Sequence, residues 1–256
     1  MYSSMEMTSS CNREYAMNIE KKEYFSKTDG TADWYMLYNA GAASDCVIYL
    51  HGHGSHGDQL FTREDIKWFG ELLVKKNFSI LSPNLRDNAW MGPAAAADLY
   101  ELVKTCKEQY QWKRIFIVSA SMGGTGALIF AVLHPELLDG ICLLGAASDI
   151  KRYRDFCRDS GSLQVHQNIY KAICANYPAP EVYDSHSACL NADKLTMPLV
   201  YYHGIDDPVM DISEMYHLQN RLASSNKAVF IEVPGTHDAP LEKFEEGLLK
   251  LLELSR

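Results

Sequence analysis

Short apolar runs alternate with amphipathic stretches along most of this 256-residue chain, and this alternation limits the possible folds more than any other feature. The amphipathic stretches carry apolar residues at helical spacing, as between 65 and 76. We predict strands at 23–27, 34–39, 46–50, 79–81, 115–119, 141–147, 199–202 and 229–233. The order is typical of an α/β protein with a mostly parallel central sheet and helices on both faces.

The connection between the sixth and seventh predicted strands is far longer than the usual two to six residues. It spans Ser148–Leu195, with a charged part at Lys151–Arg158 and a helical pattern at Leu163–Ala175. We predict that 148–195 is a small cap insertion over the carboxyl edge of the sheet. The predicted organisation is thus a polar N-terminal lead-in, 1–20, followed by one domain, 21–256.

Charge and hydropathy restrict the partners. The chain has 33 acidic and 24 basic residues and a formal net charge of −9, which disfavours a nucleic acid partner. Its longest strongly apolar runs, Ala127–Leu133 and Ile141–Ala147, are much shorter than the roughly 20 residues of a membrane-spanning helix. We therefore expect a small-molecule partner, and neither a nucleic acid nor a membrane.

The cysteines indicate a reducing compartment. They are odd in number and form no Cys-x-x-Cys pair, a pattern that favours reduced thiols in a chain of this length. Met1–Met17 also lacks the charged and apolar regions of a secretory signal. The seven cysteines are Cys11, Cys46, Cys106, Cys142, Cys157, Cys174 and Cys189. We expect a cytoplasmic protein.

The strongest chemical signal is a serine on a predicted strand-to-helix turn. The β-branched run 115–119 leads through Ser121-Met122-Gly123 directly into a small-residue helix. Such a turn exposes a nucleophilic serine, and it requires small residues two positions before and after that serine. Ser119 and Gly123 satisfy the rule for Ser121, whereas Ile117 would violate it for Ser119. We identify Ser121 as the candidate nucleophile and the Met122 N–H as an oxyanion donor.

A second glycine-rich turn follows the strand at 46–50. It reads His51-Gly-His53-Gly, and its flexible backbone can approach a reacting carbonyl closely. The His53 N–H is therefore the candidate second oxyanion donor. An alternative is a metal site formed by His51, His53 and His56, because imidazoles are good zinc ligands. Ser55 stands where the corresponding two-metal motif has an aspartate.

Two further predicted strands end in loops with an acid and a base. His203-Gly-Ile-Asp206-Asp207 follows one strand, and His237 follows the last. Either aspartate could orient a histidine and stabilise its imidazolium. The chain order Ser, Asp, His is the order found in one particular fold.

In these motifs the chain resembles the α/β-hydrolase superfamily, from about residue 46 to the C-terminus. Single-domain carboxylesterases and the hydrolase domains akin to prolyl oligopeptidase and dienelactone hydrolase are the most similar. The resemblance implies Ser121 as nucleophile, His237 as base and Asp207 as acid, because the His-Gly-x-x-Asp pattern selects Asp207 over Asp206.

Two departures from the family pattern limit what the resemblance implies. Ser119 stands where the turn usually has glycine, and it is small enough to be tolerated. Dienelactone hydrolases use a cysteine nucleophile, so their activity is not implied for a chain with Ser121.

The expected function is hydrolysis of carboxylic esters with short acyl, aryl or sugar-linked groups, through an acyl-enzyme and without a cofactor or metal. Trp90, Met91 and Arg86, in the loop after the fourth strand, are candidate substrate-pocket residues. The alternatives are a serine peptidase of the prolyl-oligopeptidase type, the metal-dependent hydrolase described above, and a catalytically silent hydrolase fold used for binding.

Overall fold

The computed structural model describes residues 18–256, so Cys11 and most of the predicted lead-in lie outside the described residues. Within this range eight strands form one sheet in the order β1-β2-β4-β3-β5-β6-β7-β8. The strands are β1 (Glu20–Phe25), β2 (Ala32–Tyr38), β3 (Cys46–Ile48), β4 (Ser79–Pro83), β5 (Ile115–Ala120), β6 (Gly140–Leu144), β7 (Leu199–Gly204) and β8 (Ala228–Val233). Strands β3 to β8 pair in parallel, and β2 pairs antiparallel with both β1 and β4.

Nine α-helices of the described chain connect or flank these strands. They are α1 (Gln59–Thr62), α2 (Lys67–Lys75), α3 (Pro93–Tyr110), α4 (Ser121–Leu133), α5 (Ile150–Asp159), α6 (Gln164–Asn176), α7 (Pro180–His186), α8 (Ser213–Arg221) and α9 (Phe244–Leu254). No helix among residues 18–256 combines the length and the apolar character that crossing a bilayer requires.

Two apolar layers enclose the sheet, one on each face. Alternate residues of β5 point to opposite layers: Ile115 and Ile117 pack with α3 and α4, whereas Phe116 and Val118 pack with α2 and α9. This two-residue alternation places every buried side chain of the strand against a helix. The predicted α/β architecture, with helices on both faces of a mostly parallel sheet, is confirmed.

Some predicted boundaries were wrong for local reasons. The sixth strand ends at Leu144 instead of Ala147, because Gly145 takes a left-handed φ of +57° that breaks the ladder. The apolar spacing at 241–252 predicts a closing helix from Leu241, but the helix begins at Phe244 because a 3-10 turn, Ala239–Lys243, precedes it.

The segment between β6 and β7 contains three helices, α5 to α7. The Asp149 side chain begins α5 by accepting the N–H groups of Lys151 and Arg152. Arg152 then forms a two-pronged ion pair with buried Glu214 of α8, at 2.8 and 2.9 Å. The base of this segment is thereby attached to the main body of the fold.

Candidate active site

The turn from β5 into α4 holds Ser121 in an unusual backbone conformation. Its φ is +56°, a left-handed value that is uncommon for a residue other than glycine. The turn is packed very closely: a Cβ atom on Gly123 would lie 1.9 Å from the carbonyl oxygen of Leu50. Ser119 is fully buried, and its Oγ accepts the Leu50 N–H at 2.8 Å. Ser119 thus joins the turn at Ser121 to the end of β3.

The structure brings Ser121, His237 and Asp207 together in series. The Ser121 hydroxyl lies 2.9 Å from His237 Nε2, and His237 Nδ1 lies 2.6 Å from Asp207 Oδ2. Because a carboxylate can only accept, Nδ1 carries the proton and Nε2 is left free to accept from the serine. The neighbouring Asp206 is exposed, and its backbone N–H donates to the carbonyl oxygen of Gly235. Its side chain takes no part in this series.

Asp207 is held as a carboxylate by its surroundings. Its side chain is fully buried, and Oδ1 accepts the backbone N–H groups of Val209 and Met210 at 2.8 and 2.9 Å. Burial alone would raise the pKa of Asp207, but the nearby imidazole N–H groups of His203 and His237 outweigh it and hold the pKa well below the usual 3.8. The acid is therefore ionised and fixed in orientation at neutral pH.

His203 lies beside Asp207. In the sequence it is the first residue of the His-Gly-x-x-Asp pattern, and no separate role was predicted for it. It is fully buried; its Nε2 donates to the carbonyl oxygen of Met210 at 2.8 Å and lies 3.4 Å from Asp207 Oδ2. The shorter contact is the hydrogen bond, and the longer one is electrostatic support for the carboxylate. The four-residue separation of His203 and Asp207 in sequence was the available signal for this contact.

The turn after β3 lies on the other side of Ser121. His53 is half-buried and lines the same cleft as the serine. Its Nδ1 accepts a hydrogen bond from Trp90 Nε1 at 3.2 Å. Burial, with a smaller contribution from nearby His51, lowers the pKa of His53, so the ring is neutral at pH 7 and able to accept. Gly54 N–H donates to Asn88 Oδ1 at 2.7 Å, which fixes the turn further.

The three histidines of the metal alternative do not converge. His51 is buried between the carbonyl oxygens of Gly52 and Asn84, His53 accepts from Trp90, and exposed His56 pairs with Asp87. Each imidazole thus has a separate partner. Among residues 18–256, no three His, Cys, Asp or Glu side chains are grouped as metal ligands. The donor geometry disagrees with the metal alternative.

Ser121 and His237 open onto a cleft of about 670 Å³, solvent included. The segment between β6 and β7 contributes apolar lining through Val165 and Ile169 of α6, to which Val209 adds. Another part of the lining is polar. It contains His53, Gln59, Arg63 and Asp238. The cleft can therefore hold an amphipathic molecule beside the serine hydroxyl.

The predicted pocket residues lie elsewhere. Trp90 and Met91 are almost fully buried and line a separate pocket of about 270 Å³, solvent included, that also borders Met122. Arg86 does not line the cleft either, because its guanidinium is engaged by Asp29 and Asp98 at 2.7 Å each. Trp90 contacts the cleft residue His53, and Arg86 is part of an ion-pair cluster.

Comparisons with known proteins agree with this architecture. A family described as serine aminopeptidase, S33, matches residues 93–189, which include the nucleophile turn. A search of curated proteins found no match.

Similar solved structures cover nearly the whole chain. A fluorophosphonate-binding serine hydrolase of Staphylococcus aureus has a TM-score of 0.71 and 16% identity, over 93% of this chain and 98% of that one. An esterase of Pyrococcus furiosus has a TM-score of 0.68 and 16% identity, over 93% and 91%. An S-formylglutathione hydrolase of Agrobacterium tumefaciens has a TM-score of 0.69 and 12% identity, over 93% and 95%. The resemblance noted in the sequence is confirmed at the level of architecture, and this chain has the α/β-hydrolase fold.

Proposed function

We propose that this protein is a serine hydrolase that cleaves carboxylic esters through a Ser121–His237–Asp207 triad and an acyl-enzyme. The observation that carries the proposal is the unbroken hydrogen-bond series from buried carboxylate to imidazole to a serine hydroxyl that faces a cleft. Nucleophile, base and orienting acid in this geometry are the requirements for activating a hydroxyl at neutral pH.

The reaction follows from the positions of the protons. His237 Nε2 accepts the hydroxyl proton as Ser121 Oγ attacks the ester carbonyl, and the Asp207 carboxylate stabilises the resulting imidazolium. The imidazolium then protonates the departing alcohol, leaving an acyl group on Ser121. A water molecule, deprotonated by His237, attacks that acyl group and releases the acid and the free serine.

The oxyanion formed in each step needs two donors. We assign them to the backbone N–H groups of Met122, at the start of α4, and of His53, in the turn after β3. Support for this assignment comes from the close packing of the two turns, where Gly123 allows the backbone at Leu50 to approach. Removing one such donor usually costs about 3–4 kcal/mol of transition-state stabilisation.

The substrate class proposed is a small ester with a short acyl, aryl or sugar-linked group. A serine peptidase remains the second candidate, favoured by the family match to serine aminopeptidases over residues 93–189. Rates on p-nitrophenyl esters and on aminoacyl p-nitroanilides separate the two. We expect hydrolysis of the esters; cleavage of the anilides at comparable kcat/KM would favour the peptidase.

The nucleophile is tested by labelling with a fluorophosphonate probe. We expect the probe to modify Ser121, Ser121→Ala to lose both labelling and ester hydrolysis, and chelators to have no effect. Ser224→Ala is the matched control, because Ser224 is an exposed serine outside the cleft. Ester hydrolysis that survives in Ser121→Ala would contradict the proposal.

A further inference from the structure

A buried amide faces the cleft beside Ser121. Gln59, at the start of α1, is 5% exposed and lines the cleft. Its Oε1 accepts the Gly52 N–H at 2.8 Å and the Tyr49 hydroxyl at 3.2 Å. Because a backbone N–H can only donate, the atom it contacts must be the oxygen, which fixes the orientation of the carboxamide.

This orientation leaves Nε2 as the polar atom that Gln59 presents to the cleft. Within residues 18–256, Nε2 donates no hydrogen bond to the protein, although the amide group has two N–H donors. Nε2 is also not among the buried polar atoms that lack a partner, so it is open to the cleft. An oxygen of a bound ligand can therefore replace water as its acceptor.

The charges around Gln59 indicate a neutral acceptor. Arg63 lies one helical turn further along the same wall, and it pairs with Asp65 at 2.7 Å and with Asp238 at 3.3 Å. Two carboxylates therefore surround one guanidinium, and this wall has no surplus positive charge for an anionic ligand. A carbonyl, ether or hydroxyl oxygen suits the amide, and a carboxylate does not.

The apolar part of the lining suits a different part of the ligand. Val165 and Ile169 on α6, with Val209, offer only aliphatic surface to the cleft. A hydrocarbon group placed there leaves no polar group unpaired. The two walls together favour a substrate with an oxygen-bearing part and a separate aliphatic part.

We propose that Gln59 is a specificity-determining residue: its Nε2 donates a hydrogen bond to a neutral oxygen, other than the reacting ester group, on the substrate. The aliphatic part of the same substrate packs against α6. This inference rests on the proposed ester hydrolysis at Ser121, and it names the class of ester that the cleft selects.

The test compares esters that differ only in one acceptor. The acyl pair is p-nitrophenyl 4-oxopentanoate and p-nitrophenyl pentanoate; the alcohol pair is 2-methoxyethyl butanoate and butyl butanoate. We expect the wild type to prefer the acceptor-bearing member of at least one pair by about tenfold in kcat/KM, as one neutral hydrogen bond provides. The mono-p-nitrophenyl ester of glutaric acid, which ends in a carboxylate, is expected to be poorer than the oxopentanoate.

Gln59→Glu isolates the donor. It retains an oxygen for the Gly52 N–H and the Tyr49 hydroxyl but replaces the NH2 group by an acceptor. We expect the preference to fall to about one or to reverse, while Gln219→Glu, at an exposed position of α8, retains it. The readout is the ratio of kcat/KM for the two esters within each variant, so an effect common to both substrates cancels.

Two results would overturn the inference: no preference in either pair for the wild type, or a preference that persists in Gln59→Glu. The wild-type ratio decides the matter even where the variant fails to fold. If the esters are hydrolysed by a Ser121-dependent reaction without this selectivity, only the role of Gln59 fails. If they are not hydrolysed, or if Ser121→Ala hydrolyses them, the proposed function fails instead.

Discussion

Gly123→Ala tests whether the close contact between the nucleophile turn and the end of β3 sets the reaction geometry. The added Cβ would lie 1.9 Å from the Leu50 carbonyl oxygen and 2.6 Å from its carbon. An ordinary contact requires at least 3.4 Å, so the Cβ and the oxygen must separate by about 1.5 Å. Both neighbours are backbone atoms, and no rotation of a side chain relieves the overlap.

The displacement must reach the proposed oxyanion donors. The Leu50 N–H is tied to Ser119 Oγ at 2.8 Å, and His53 follows only three residues later. Moving this backbone shifts His53 relative to Ser121. A misplacement of about 1 Å can cost about 10²-fold in rate, and the loss of one donor costs about 10²–10³-fold. We therefore expect kcat to fall by about 10²–10³-fold, with a smaller change in KM.

Gly126→Ala is the matched control, because it adds the same methyl group one turn later in α4. The nearest atom there, at 3.0 Å, is the terminal methyl of Met91, which is flexible and can move aside. We expect kcat of the control to stay within about threefold of the wild type. Steady-state kinetics on a p-nitrophenyl ester are measured beside thermal unfolding of both variants. A folded Gly123→Ala variant with wild-type kcat would refute the reasoning.

Trp90→Phe removes the hydrogen bond to His53, and we expect kcat on a p-nitrophenyl ester to fall by about tenfold. The control Trp112→Phe removes a buried N–H that has no partner among the described residues, and it should leave kcat unchanged. Equal losses of kcat in the two variants would contradict a role of the Trp90 hydrogen bond in holding His53. The low pKa of Asp207 adds stability that is fully present above about pH 3.8 and is lost as the pH falls towards the folded-state value. Chemical unfolding should therefore show a difference in the free energy of unfolding between wild type and Asp207→Asn that persists down to about pH 5 and shrinks below about pH 4. A difference that shrinks near pH 6 would contradict this. Iodoacetamide should modify Cys174 first among the described cysteines, because the others are buried; peptide mass spectrometry measures the order, and earlier labelling of a buried thiol would contradict it.

The features that the sequence predicted well are those that local sterics decide. Strand β5 was expected at 115–119 and is observed at Ile115–Ala120, because β-branched residues alternate between two buried layers. A strand-to-helix turn was expected at Ser121 because its neighbours two positions away are small, and the 1.9 Å approach at Gly123 gives the physical basis of that rule. Each of these inferences required only a few consecutive residues.

The lining of the cleft depends instead on which segments, far apart in sequence, come into contact in the fold. Arg86 was expected to face substrate, but Asp29 and Asp98, both far away in sequence, hold its guanidinium. Gln59 was not singled out, since its importance arises from contacts with Tyr49 and Gly52 and from the cleft it borders. No periodicity or motif in the sequence encodes these tertiary contacts.

The segment after β4 has a backbone conformation that its sequence does not predict. Five of its residues, none of them glycine, have left-handed φ values between 47° and 61°: Leu85, Arg86, Asp87, Trp90 and Met91. Local preference argues against this conformation, so no sequence rule predicts it. Contacts with the turn at 51–57 offset the strain, including those from Trp90 to His53 and from Asn88 to Gly54. Backbone strain thus occurs at Ser121 and in the segment after β4 that contacts the turn at 51–57. At both places tertiary contacts must fix a backbone geometry that local preference disfavours.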